Sequence, residues 1–302
     1  AIDSGSLHYD DMVTASAYAC SMGGSQIWLE ENEQMTVEDM LKAVCVASAN
    51  DASVALAEHI AGSAEAFVEK MNQRAAELGM ADTHFVNPTG LPAEGHVTSA
   101  YDIALMSREL ILHHPDIRRF TTIWMDSLRD GAFGLNNTNK LIRYYEGATG
   151  LKTGSTDDAL YCLSATAERD GMELIAVILK SPTSTQRFES AKVLLNYGFA
   201  AYGLVQVEPE SPLTPIPVEL GTAAVVTPVL EGEQNLLLSK EKLGTMEIQT
   251  QLEPMLSAPV EKGQQVGTLT VSSGGEVLAE LPLVAEEAVE RLSYGQILMR
   301  CL

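Results

Sequence analysis

Apolar residues at Val37, Met40, Leu41, Val44 and Cys45 recur at the spacing of one helical face. The four residues Thr36-Val37-Glu38-Asp39 that lead into them have the form of a capping-box start. The pattern runs out at Ser48. A second helix is predicted from near Asp51, with Val54, Ala57, Ile60 and Ala61 inward. A third runs from about Ser63 through Phe67, Met71 and Leu78, and Gly79 stops it. Asn87-Pro88-Thr89-Gly90-Leu91 is a turn cluster. Ser99-Ala100-Tyr101-Asp102 caps another helix, with Ile103, Met106 and Leu110 on its face. Over residues 136–142 the pattern turns polar and extended. Strands are predicted at 151–154, 160–167 and 173–179, the last two joined by an Asp170-Gly171 hairpin turn. A closing helix is predicted over roughly 185–197, ending at Gly198.

The pattern changes after Tyr202. Glu208-Pro209-Glu210-Ser211-Pro212 and the Pro215–Pro217 stretch read as a linker. Short β-rich runs follow at 223–229, 235–238, 246–252, 267–271 and 276–283, separated by turns such as Glu261-Lys262-Gly263 and Ser273-Gly274-Gly275. The final stretch returns to helical spacing, with Val289, Leu292, Ile297, Leu298 and Leu302 on one side and Glu290, Arg291 and Arg300 on the other. The expected organisation is an α+β domain over 1–204, a small all-β, sandwich-like domain over 205–286 and an amphipathic helix over 287–302. That helix is too short and polar to span a bilayer, which leaves an interfacial position or packing on the β domain.

Composition narrows the function classes. A chain of 302 residues with 46% hydrophobic residues buries a real core. Its formal net charge of −22 repels phosphate backbones and argues against nucleic acid as a partner. Cys20, Cys45, Cys162 and Cys301 form no CxxC pair, and His8, His59, His84, His96, His113 and His114 form no ligand motif. No metal or other cofactor is assigned. Cys45 and Cys162 read as small buried hydrophobes.

Two short motifs carry candidate chemistry. Lys152-Thr153-Gly154 falls on a predicted strand. There Lys152 can set a fixed positive charge beside a bound carboxylate, Thr153 can offer it a hydroxyl, and Gly154 lets a substrate backbone lie against the strand as an added strand. Taken alone, the motif reads as a surface lysine in a turn. Ser48-Ala49-Asn50 sits between two predicted helices. Taken alone, it reads as a helix cap. The functional alternative gives Ser48 a proton-relay role and makes Asn50 a partner for a substrate amide.

Together the motifs resemble two of the three signature elements of the serine penicillin-binding proteins. The surrounding residues sharpen the likeness: Ser48-Ala49-Asn50-Asp51 with Leu56-Ala57-Glu58, then Phe85-Val86-Asn87-Pro88-Thr89-Gly90-Leu91, then residues 150–156 with Cys162 and Ala165, then Leu195-Asn196-Tyr197-Gly198-Phe199. Over nearly its whole length the chain resembles the low-molecular-mass D-alanyl-D-alanine carboxypeptidases. The resemblance implies a serine β-lactamase/transpeptidase-like α+β domain followed by a β domain. It implies removal of the terminal D-alanine from peptidoglycan stem peptides through an acyl-serine intermediate, and acylation by β-lactam antibiotics. Ser48, Asn50 and Lys152 would be catalytic, and Lys152, Thr153, Gly154 and Ser155 substrate-binding, with the backbone N–H of Ser155 as one oxyanion donor. It also implies a site of action at the outer face of the bacterial cytoplasmic membrane.

The family's third element, Ser-x-x-Lys, is matched only by Ser239-Lys240-Glu241-Lys242, among charged residues of the β region. The family's nucleophile is therefore expected upstream of the segment that aligns with Ala1. Ala1-Ile2-Asp3-Ser4-Gly5 reads as the end of a helix. Two further readings follow from the same residues. A homologue without the nucleophile would bind muropeptides without turnover. A class A β-lactamase would need an ExxLN-like loop between the motifs and would lack the extra β domain.

Overall fold

Thr36 caps the first long helical pattern, its side chain accepting from Asp39 N. In the computed structural model, which describes residues 1–300, this start is embedded in a unit spanning Ala1–Gly198. That unit opens with β1 (Met12–Thr14), α1 (Ala17–Cys20) and β2 (Gln34–Thr36), and β1 pairs antiparallel with β2. Then come α2 (Val37–Lys42), a π-helical turn (Ala43–Ala47), α3 (Asn50–Ala61), α4 (Ala64–Glu77) and α5 (Ala100–His113). Ser63 and Ser99 cap α4 and α5 by accepting from the N–H of the third residue on. The short α6 (Arg118–Thr121), β3 (Met125–Leu128), β4 (Phe133–Asn136) and α7 (Leu141–Tyr144) follow. The polar stretch expected to be extended is thus a strand end and a one-turn helix.

Three long antiparallel strands complete the unit: β5 (Ala148–Thr156), β6 (Leu160–Arg169) and β7 (Met172–Ser181), in the order β5-β6-β7. The Asp170-Gly171 turn has both residues at positive φ, 51° and 75°, as a tight hairpin demands. Helix α8 (Ser184–Ala201) follows, and the unit ends within it at Gly198. Gly198 lies inside α8 and does not end it. A Cβ there would stand 2.5 Å from Leu174 Cδ1, so the glycine serves close helix–strand packing.

One core joins Val13, Ile27, Met40, Val46, Val54, Leu128 and Leu135, so the segment that carries Ser48 is anchored in packed apolar side chains.

The second unit begins at Phe199, a few residues before the boundary expected from composition. It contains β8 (Tyr202–Gln206), β9 (Ile216–Glu219), β10 (Val225–Val226), β11 (Pro228–Leu230), β12 (Asn235–Ser239), the short α9 (Lys240–Gly244), β13 (Met246–Leu252), β14 (Leu256–Ser257), β15 (Gln265–Ser273) and β16 (Glu276–Ala285). Its main sheet runs β11-β16-β15-β13, beside a smaller β10-β9-β14 sheet and a β8-β12 ribbon. The supposed linker prolines run into β9, with Pro217 inside the strand.

The terminal helix is shorter than its pattern. Among its described residues only α10 (Tyr294–Arg300) is helical. Val289 is 1% exposed in the β core and bridges Val260, so it belongs to the sheet region and not to a helical face. The expectation for Leu302 lies outside the described residues. No helix among the described residues is long and apolar enough to cross a membrane.

Candidate active site

The turn after α2 sets the first half of the site. The helix widens into the π-helical turn, and Ser48 ends it at φ 63° in the left-handed region. A non-glycine residue there is uncommon, and both π-turns and such conformations recur at functional sites. Helix α3 begins from Ala49 without a side-chain cap. Neither Ser48 nor Asn50 caps it, so the plain capping alternative has no basis in the geometry. The polar work at this junction falls to Asp51. It is fully buried, and its carboxylate accepts from Ile27 N, Leu29 N and Ala52 N at 2.9–3.2 Å.

Strand β5 sets the second half. It is an edge strand of its sheet, so backbone groups over 152–156 face outward on one side. Lys152 Nζ donates to Ser48 Oγ at 2.5 Å and to Thr153 O at 2.8 Å. Burial pulls the Lys152 ammonium down to about 8, with the Arg187 cation adding to the effect and Cys45 opposing it. Cys45 is buried and electrostatically coupled to Lys152, and its thiol is pushed up to about 11 by that burial. At neutral pH the pair is therefore a cationic lysine and a neutral thiol.

Thr153 is buried and its Oγ1 lies 2.6 Å from Thr138 Oγ1. Gly154 and Ser155 are exposed, and a Cβ built on Gly154 would meet nothing within 4 Å. Open space at that position is what an added backbone needs. Asn50 faces the glycine pair Gly23-Gly24, its Nδ2 donating to Gly23 O at 2.8 Å. Its Oδ1 has no protein partner among the described residues. Gly24 has φ 81°, and a Cβ there would come 2.8 Å from Asn50 Nδ2. Ser48 and Lys152 are thus in direct contact and Thr153 adjoins them in β5. Asn50 is held from the other side by the glycine loop.

A cavity of about 1310 Å³ opens beside β5, lined by Leu91, Ile103, Met106, Lys152, Thr153 and Ser155 among others. Ser239 is not part of this machinery: its Oγ caps α9 by accepting from Lys242 N, and Lys242 pairs with Glu276.

Three contributors escaped the sequence reading. Arg187 on α8 is buried and donates to Gly154 O and Cys162 O at 3.2 and 3.1 Å, tying β5 to β6 at the motif. Thr138 and Gly24 are the others. Gly23-Gly24 was visible as a glycine pair. Nothing in the local pattern marks Arg187 or Thr138, whose roles exist only across the fold.

Comparison with known proteins shows the family of the chain. Residues 1–183 match the family model of D-alanyl-D-alanine carboxypeptidase, and residues 210–291 match the C-terminal domain of penicillin-binding protein 5. The chain belongs to the low-molecular-mass penicillin-binding proteins of the D-alanyl-D-alanine carboxypeptidase family, with a transpeptidase-like α+β domain and the C-terminal β domain expected of it. It is 41% identical to the D-alanyl-D-alanine carboxypeptidase DacF of Bacillus subtilis across all of this chain and 79% of that protein. It is 32% identical to DacC of Escherichia coli over 96% of this chain and 74% of that one. Among solved structures, penicillin-binding protein 5 of Haemophilus influenzae superposes with a TM-score of 0.77 at 30% identity, covering 96% of this chain and 86% of the other. Penicillin-binding protein D2 of Listeria monocytogenes, solved in its ampicillin-bound form, has a TM-score of 0.59 at 32% identity over 66% of this chain and 80% of its own.

Proposed function

We propose that this chain serves a serine-type D-alanyl-D-alanine carboxypeptidase that trims the terminal D-alanine of peptidoglycan stem peptides and is acylated by β-lactams. The observation that carries the reading is the 2.5 Å contact between Lys152 Nζ and Ser48 Oγ. It joins a half-buried cation to a hydroxyl held by strained backbone, beside an open strand edge. In this reading the substrate lies along β5 as an added strand. The Lys152 ammonium and the Thr153 hydroxyl take its terminal carboxylate, and the Asn50 Oδ1 accepts from its amide N–H. The Ser155 N–H supports the oxyanion as a serine oxygen attacks the carbonyl. As the acyl bond forms, the peptide bond to the last D-alanine breaks, and a proton passes to the leaving amine. Ser48 is the relay, because its oxygen already contacts Lys152, whose lowered affinity for protons makes exchange near neutral pH accessible. Water then releases the acyl group.

The reading requires a Ser-x-x-Lys nucleophile element that faces Ser48 and Lys152, since Ser239 is engaged as the α9 cap. Fluorescent penicillin labelling, with intact mass of protein expressed from its complete reading frame, tests it. One stoichiometric adduct is expected. Non-covalent binding of a muropeptide with no adduct would favour the homologue that does not turn over.

We further propose that the enzyme works at the outer face of the cytoplasmic membrane. The support is α10, which exposes Tyr294, Leu298 and Met299.

A further inference from the structure

Asn137 and Asn139 are buried polar residues in a connecting segment, and their side chains form a bracket. Asn137 Nδ2 donates to Thr121 O and Ile123 O, and its Oδ1 accepts from Asn139 N. Asn139 Nδ2 donates to Gly150 O at 2.9 Å, and its Oδ1 accepts from Leu141 N. Thr138, held between them, donates its N–H to Val46 O. The bracket therefore fastens to the chain two residues before Ser48 and two residues before Lys152. Thr138 itself is exposed, yet its hydroxyl is placed 2.6 Å from Thr153 Oγ1.

A hydroxyl has one proton to give. Thr138 is the one hydrogen-bond partner of Thr153 Oγ1 among the described residues. If Thr153 gives its proton to Thr138, it turns lone pairs toward the cavity and repels a carboxylate. If Thr138 gives its proton to Thr153, the Thr153 proton is free to point at a carboxylate. Thr138 is exposed, so water satisfies its oxygen in either arrangement. An arriving carboxylate then selects the second, forming an O–H···O–H···O⁻ chain whose members polarise one another.

We propose that Thr138 is a positioning residue for the substrate carboxylate, acting through the Thr153 hydroxyl. This rests on the reading above, in which Lys152 and Thr153 take that carboxylate. It adds a residue outside the two sequence motifs and gives the Asn137–Asn139 bracket a purpose.

The test uses protein expressed from its complete reading frame and two probes, benzylpenicillin and its methyl ester. Acylation rates are measured for the parent, Thr138→Val and Thr138→Ser. Valine keeps the shape and removes the hydroxyl, while serine keeps the hydroxyl. For Thr138→Val, acylation by the acid should fall about 10-fold, the low end for a lost hydrogen bond in a charged network. Acylation by the ester should stay within about twofold, and Thr138→Ser should recover acid acylation to near the parent rate. A general structural effect would slow both probes together, and that result overturns the inference, as does a valine variant that keeps the parent's preference for the acid. A parent that forms no adduct, or shows no preference for acid over ester, overturns the carboxypeptidase reading itself and this inference with it.

Discussion

Ser48 and Lys152 lie 104 positions apart and meet at 2.5 Å, the lysine ammonium donating to the serine hydroxyl. The serine arrives at the end of a π-helical turn in left-handed backbone, and the lysine on an edge strand. Each is held by an element that has other structural reasons to exist, so the contact can be broken at either end without dismantling the fold.

Lys152 is expected to have opposite effects on chemistry and stability. Lys152→Ala should slow penicillin acylation on the order of 10²-fold, comparable to losing an oxyanion-hole donor. Acylation within a few-fold of the parent would refute its role. The preference for benzylpenicillin over its ester should also decline as pH rises through about 8, where the ammonium loses its proton. For stability the sign is reversed. A lysine held at about 8 instead of 10.5 means that the unfolded chain binds more protons between those values, so stability rises with pH across that window. Lys152→Met should therefore be more stable than the parent at pH 7 by about 1–3 kcal/mol, with the advantage gone by pH 10.5. Urea midpoints at pH 7 and 10.5 measure this.

Ser48 and Asn50 do not cap α3. Alanine at either position should collapse acylation while shifting the thermal midpoint little. A cap would behave the other way, costing about 1 kcal/mol and sparing activity. Thermal melts and penicillin labelling of the same two variants decide it.

Asp51 is the structural counterpart. Three buried backbone N–H groups depend on its carboxylate. Asp51→Ala should cost about 3 kcal/mol or more, since each orphaned buried donor loses its compensation. Asp51→Asn should cost less, because one acceptor oxygen remains. Denaturant unfolding that shows no loss for alanine would remove Asp51 from this role.

The membrane proposal is tested by liposome flotation with and without the C-terminal residues. The truncation belongs after Leu292, because Val289 is in the β core and an earlier cut would unfold the domain. Loss of flotation in the truncated protein is expected. Equal partitioning of both would make α10 a structural helix.

What the sequence determined by itself is local or carried in contiguous motifs. The caps at Thr36, Ser63 and Ser99, the Asp170-Gly171 hairpin and the three central strands depend on neighbours within a few positions, which is why periodicity and turn chemistry located them. Ser48-Ala49-Asn50 and Lys152-Thr153-Gly154 were readable as short words with a known partner. The tertiary structure decided everything that depends on distant pairing. It placed Gly198 inside a helix, because Leu174 leaves no room for a Cβ. It drew Val289 into a core, because Val260 pairs with it. It gave the α3 junction to Asp51 and brought Arg187 and Thr138 to β5. None of these residues differs in its own neighbourhood from an ordinary surface or helix residue. Their roles come from what the fold sets opposite them, and a one-dimensional pattern does not contain that information.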